Sequence, residues 1–122
     1  MISIILLILA SISNAVMDVT QFHFYRSIFN NDLFGAKWWN GQVSWRNKYV
    51  NGDVKQGRTN TPVWFTDAFH FFKSTTIVLL SLAIVLYEPI ITWYIDLLIL
   101  GLAWNTFFSL FYKHIFKKET YE

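Results

Sequence analysis

Cysteine is absent from this chain of 122 residues, which removes disulfides, thiolate catalysis and thiolate metal sites. Charge is also scarce. Asp, Glu, Lys and Arg make up 15%, against 54% hydrophobic and 20% aromatic residues, a balance that fits a membrane protein better than a soluble one. The net charge of +2 is too small to argue for a nucleic-acid partner. No glycine-rich phosphate loop, nucleophile elbow or His-Glu-x-x-His pattern is found either.

What the chain does have is three long apolar runs. The first extends from Ile2 to about Phe22, with Asn14, Asp18 and Gln21 stacked on one face near its end. It lacks a positive residue ahead of Ile4–Ile12, and although Ser13-Asn14-Ala15 resembles a cleavage site, it reads as a retained membrane helix. The second runs from about 62 to 87, opened by Thr61 as cap and Pro62 at the first helical position, and stopped by Glu88-Pro89. At ~1.5 Å per residue, about 25 residues reach roughly 37 Å, enough to cross a ~30 Å hydrocarbon core with tilt. The third runs from about 90 to 112 with Pro89 opening it, and carries Asp96, Gly101 and Asn105. The expected fold is a single all-α membrane domain over 1–122, a three-transmembrane-helix bundle.

Between the first two spans lies the only long polar segment, about 26–60. Asn30-Asn31-Asp32 and Asn40-Gly41 are turn signals. Residues 43–50 alternate, Asn51-Gly52 is a favoured hairpin turn, and 53–56 supply a short return strand, so a small β-hairpin is expected here. Arg26, Lys37, Arg46, Lys48, Lys55 and Arg58 lie in this segment and Lys113, Lys117 and Lys118 in the tail 113–122, while the Glu88-Pro89 connection has no positive residue. With three spans the loop and tail share a side, and the positive-inside bias makes it cytoplasmic, with the N-terminus outside a bacterial-type inner membrane.

That orientation brings Asp18, Asp67, His70 and Asn105 to the same depth, in the cytoplasmic third of the bilayer. Asp67, His70 and Lys73 recur at helical spacing and share a face. Ionisable groups at such depth are a site hypothesis. In one version Asp18, Asp67 and His70 ligate a divalent metal that activates water. In another, Asp67 and His70 act as general acid or base while Arg46, Lys48, Arg58 and Lys73 hold a phosphate. The substrate would be lipid-linked or phosphorylated, and the protein a hydrolase or transferase. Against this stands a structural reading in which Asn14, Gln21 and Asn105 hydrogen-bond between helices and the acids pair with loop cations. The protein is then an anchor or accessory subunit that binds a partner through its basic, aromatic loop. His23 and His114, at interfaces, are not expected to be ligands, and Asp96 has no obvious partner in the chain, which together with the small bundle predicts self-association. The tryptophans and tyrosines of the loop are expected to form an interfacial belt against membrane lipids, not a nucleic-acid surface.

Three stretches, Asn14-Ala15-Val16-Met17-Asp18, Ser44-Trp45-Arg46-Asn47-Lys48-Tyr49 and Thr66-Asp67-Ala68-Phe69-His70-Phe71-Phe72-Lys73, occur in this order. The set resembles a family of small bacterial and phage integral membrane proteins with no assigned function. The likeness covers about the first two-thirds of the chain. It implies a joint site among Asp18, the Arg46-Asn47-Lys48 segment and the Asp67–His70 pair, and carries no chemistry of its own.

Overall fold

Small residues decide which helix occupies the middle. In the computed structural model, which describes residues 1–30, 35–60 and 62–118, α1 (Ile2–Phe22) buries Ala10, Ser11, Ser13, Ala15, Val16, Val19 and Thr20. Short side chains let neighbouring helices approach closely, as packing within a membrane requires. The hydroxyls that this buries bond back to the helix itself: Ser11 Oγ donates to Ile8 O at 2.7 Å and Thr20 Oγ1 to Val16 O at 2.8 Å.

Two further long helices, α4 (Ala68–Val85) and α5 (Trp93–Leu110), pack against α1, and α5 continues as a π-helical turn over Phe111–Phe116. All three helices are long and apolar enough to cross a membrane. The first span matches the expected boundaries. The second starts later than expected, because Pro62 is extended and Asp67, also extended, caps a helix that begins at Ala68. The expected cap, Thr61, lies outside the described residues, as do Asn31 and Asp32 of the first turn signal. Pro89 does not open the third helix. The connection stays irregular to Thr92.

The loop end of the bundle is a distinct layer. Short helices α2 (Ala36–Trp39) and α3 (Gly41–Ser44) are followed by 3-10 turns at Trp45–Lys48, Val50–Gly52 and Val54–Gln56. The expected hairpin is not formed. Its turn is present, since Asn51 and Gly52 take φ of 55° and 70° and Asp53 N–H donates to Val50 O at 3.1 Å. The flanking segments coil instead of extending, and a single antiparallel bridge, Tyr49 with Thr59, replaces a ladder. Side chains supply the missing bonds: Asn60 Nδ2 donates to Asn47 O at 2.8 Å and to Tyr49 O at 3.2 Å. A second bridge, Ser27 with Lys117, ties the tail to the chain just after α1. The core at this end joins Ala15, Val16 and Val19 of α1 to Phe116, with Phe72, Phe108 and Trp39 packed around them.

At the opposite end Asp96 is far from partnerless. It is buried in the first turn of α5, where Oδ2 accepts from Tyr87 Oη–H at 2.7 Å and from Ile90 N–H at 2.8 Å, and Oδ1 from Ile91 N–H at 3.0 Å. One carboxylate thus gathers the α4–α5 connection, which Pro89 leaves with one donor fewer. This removes the reason for self-association that its apparent isolation in the sequence suggested.

Candidate functional site

The residues that meet at the loop end come from α3 and α4. Asn40 caps α3, its Oδ1 accepting from Gln42 N–H at 3.1 Å, and the resulting single turn delivers Ser44 inward. Ser44 and Asp67 are both fully buried, and Ser44 Oγ donates to Asp67 Oδ2 at 2.8 Å. The other carboxylate oxygen caps α4, accepting from His70 N–H at 3.1 Å, and also makes a short contact with Nδ1 of the His70 ring. The spacing of three residues explains the double contact, because a cap residue and the third residue of its helix face each other across the first turn.

His70 itself is 19% exposed. With Nδ1 turned to the carboxylate, Nε2 is the nitrogen left to meet a ligand, and among the described residues it has no partner. A buried carboxylate fixing one ring nitrogen while the other faces outward is an arrangement that can take up and return a proton. Ser44 is not a nucleophile here. It lies on the far side of the carboxylate from the imidazole, so the trio lacks the serine–imidazole bond that activation requires.

Asp18 does not join the pair. On α1, Met17 faces α4, its sulfur 3.9 Å from Thr76 Oγ1. Asp18, about 100° further round the helix, is half-buried and within electrostatic reach of Tyr112 on the α5 side. Thr76 is nine residues along α4 from Asp67, so Asp18, next to Met17, lies about 12 Å along the bundle from the Asp67 cap and also turns toward a different helix. Accordingly, no group of three or more His, Asp or Glu is placed to hold a metal among the described residues. The expected Asp18–Asp67–His70 metal set is not assembled.

The four expected phosphate-holding cations are spread over the surface. The Arg46 guanidinium sits 5.3 Å from the Trp45 ring centre and Lys48 Nζ 5.0 Å from that of Tyr49, while Arg58 and Lys73 are exposed. Of the expected packing residues, Asn14 is half-buried on α1 and Asn105 is exposed, its amide donating to Gly101 O of its own helix at 3.1 Å. Gln21 is engaged with the loop: its carbonyl accepts from Gln42 Nε2 at 3.2 Å, and its side chain lies where a Cβ at Gly41 would stand.

One residue of the site, Ser44, is not evident from the sequence reading, where it is the polar face of a strand; Asn47 is expected there only as part of the Arg46-Asn47-Lys48 segment, without a role of its own. Asn47 Nδ2 donates to Lys37 O at 2.6 Å and to Thr66 O at 3.0 Å, stapling the loop to the residue before Asp67. The signal was present in the stretches themselves, since Ser44 and Asn47 share one and Thr66, Asp67 and His70 share the other.

Taken together these features define a helical protein of membrane-spanning character with an aspartate–histidine pair at its loop end. No protein-family profile, curated protein or solved structure matches the chain.

Proposed function

We propose that the protein is a membrane-embedded enzyme that uses His70 as a general acid–base, oriented by Asp67, on a lipid-linked or phosphorylated substrate. The observation that carries this is the fully buried Asp67 carboxylate, held by Ser44 on one oxygen and directed at His70 Nδ1 by the other. In the reaction, Nε2 removes the proton of an attacking water or hydroxyl, the imidazolium is stabilised by the adjacent carboxylate, and the proton then passes to the leaving group. The reading includes a bacterial-type inner membrane with the loop and tail in the cytoplasm, where the positive residues favour that orientation. It also keeps the likeness to small bacterial and phage membrane proteins.

The test is purified protein in vesicles containing a polyprenyl phosphate and phosphatidylglycerol, with products followed by mass spectrometry. General acid–base catalysis contributes about 10²–10⁴-fold, so His70→Ala should lose at least about a hundredfold and Asp67→Asn a comparable amount. Turnover that survives both changes, or its absence in the wild type, sinks the proposal.

A second reading is favoured by a separate observation. Trp45, Trp64 and Phe65 are exposed at the loop end, with Arg46 stacked on Trp45. Such a surface suits a partner protein, and the chain would then be a non-catalytic anchor or accessory subunit. Co-purification of a specific protein, lost with Trp45→Ala or Arg46→Ala and indifferent to His70→Ala, would favour it.

A further inference from the structure

A groove runs along the side of α4 from the loop end of the bundle. Its volume is about 200 Å³, Trp64 and Phe65 form its rim, and Phe71, Val78 and Leu79 line its length. We infer that this groove seats one hydrocarbon chain of a lipid-linked substrate and so decides which molecules His70 can reach. The inference deepens the catalytic reading and rests on it.

The direction of the groove suits a chain. It follows a helix long and apolar enough to cross a membrane, and it starts at two exposed rings of the kind that settle at headgroup depth. From Phe71 to Leu79 the helix rises about 12 Å, close to the ~15 Å of one leaflet in a ~30 Å hydrocarbon core. A chain anchored at the loop-side surface would therefore lie against α4 for most of its leaflet.

Size and polarity point the same way. A space of about 200 Å³ falls short of the ~300–1,000 Å³ that whole small molecules occupy. None of its wall residues is charged, so a phosphate has nothing to hold it inside. Thr75 bonds back to its own helix, Oγ1 donating to Phe71 O at 2.9 Å. The headgroup must remain at the mouth.

That mouth adjoins the catalytic pair. Ser74, a wall residue, stands one helical turn beyond His70 on the same face, and Phe71 follows His70 in the chain. The Phe65 and Phe71 rings lie 6.1 Å apart across the opening. A seated chain thus brings its head to the level of the imidazole, whose Nε2 has no partner among the described residues. Lipid tails are as apolar as these walls, so burial alone does not drive the chain in. The groove offers closer packing than liquid hydrocarbon, and a fixed approach for the headgroup.

The experiment maps where a chain rests. Full-length protein in phosphatidylglycerol nanodiscs is irradiated with a polyprenyl phosphate carrying a diazirine in its chain, and the adducts are located by mass spectrometry. Adducts per residue on 71–79 are compared with those on Leu98 and Leu102, which are exposed on α5. About ten carbon–carbon contacts in the groove would enrich 71–79 about fivefold. Val78→Trp fills the groove and should lower labelling to that of α5; Val78 is 53% exposed, so the larger ring is not forced into the core. Val85→Trp, further along the same helix and also exposed, should leave the enrichment unchanged. Equal labelling of α4 and α5 in the wild type, or enrichment that survives Val78→Trp, overturns the proposal. Protection of 71–79 from the probe, with two copies joined there by a bifunctional crosslinker, would give the groove to a second protein helix and overturns it as well. His70→Ala should keep the enrichment. A silent enzyme with a labelled groove therefore sinks only the catalytic reading, and turnover with an unlabelled groove sinks only this one.

Discussion

Ser44 Oγ and Asp67 Oδ2 meet 2.8 Å apart, both without solvent exposure, and this bond joins the last residue of α3 to the cap of α4. A hydrogen bond to a charged group is worth about 1.5–3 kcal/mol. Ser44→Ala should lose stability in that range, and Asp67→Ala should lose in addition about 1 kcal/mol for the cap. Thermal unfolding in detergent micelles measures both; an unchanged midpoint for Ser44→Ala would mean that the bond contributes nothing.

Gly41→Ala should be damaging despite the modest change. An added Cβ would stand 2.2 Å from Gln21 Oε1 and 3.2 Å from Gln21 Cα. The side-chain oxygen can swing away, but the backbone of α1 cannot, so α3 must retreat. Overpacking of this kind costs about 1–3 kcal/mol. The loss should appear in thermal unfolding together with faster proteolysis of 41–60, whereas Gly101→Ala, with open space at its Cβ, should fold normally.

The Tyr87–Asp96 bond makes stability depend on alkaline pH. Donation to Asp96, followed by burial and the carboxylate's charge, raises the Tyr87 phenol above its ordinary value of about 10. A group whose folded value is raised contributes fully below its unfolded value and loses that contribution as pH climbs through the folded one. The wild type should therefore lose thermal stability above about pH 10 more steeply than Tyr87→Phe. Parallel curves would show that the bond is not made.

Because the chain has no cysteine, sidedness can be read with single replacements. With the loop cytoplasmic, Glu88→Cys should react with an impermeant maleimide in intact cells, and Lys55→Cys only after permeabilisation. The reverse pattern would invert the proposed orientation and place His70 on the outer face.

Self-association should run through α5. Asn105 is exposed on that span and Gly101 stands one turn before it on the same face. A carboxamide in hydrocarbon gains about 1–2 kcal/mol by bonding to another helix, and two copies complement each other. Crosslinking in micelles should trap a dimer that Asn105→Leu abolishes, while Asn14→Leu leaves it.

The three spans were legible because each is a long run with few charges, and the extent of α1 followed directly from the sequence. The starts of α4 and α5 were not. Asp67 caps α4 at His70 N–H, Asp96 holds the irregular connection ahead of α5 at Ile90 and Ile91, and prolines nearby gave a stronger but misleading boundary signal. The Asp67–His70 pair was readable from a spacing of three. The register and rotation of α1 against α4 were not, since both follow from packing: Met17 comes to rest beside Thr76, nine residues beyond Asp67, and that is where Asp18 was misplaced. The alternation of 43–50 matched a strand. A cap at Asn40 and the amide ties of Asn47 and Asn60 satisfied the backbone in another way.

Asn47 gives the loop a mechanical grip on the membrane-embedded half. A force that lifts the aromatic segment pulls on the Asn47–Thr66 link beside Asp67 and on the Ser44 bond to Asp67 itself. A docking event outside the bilayer would thus be felt as a change in how firmly the imidazole is aimed, so recruitment and reactivity would be two ends of one lever.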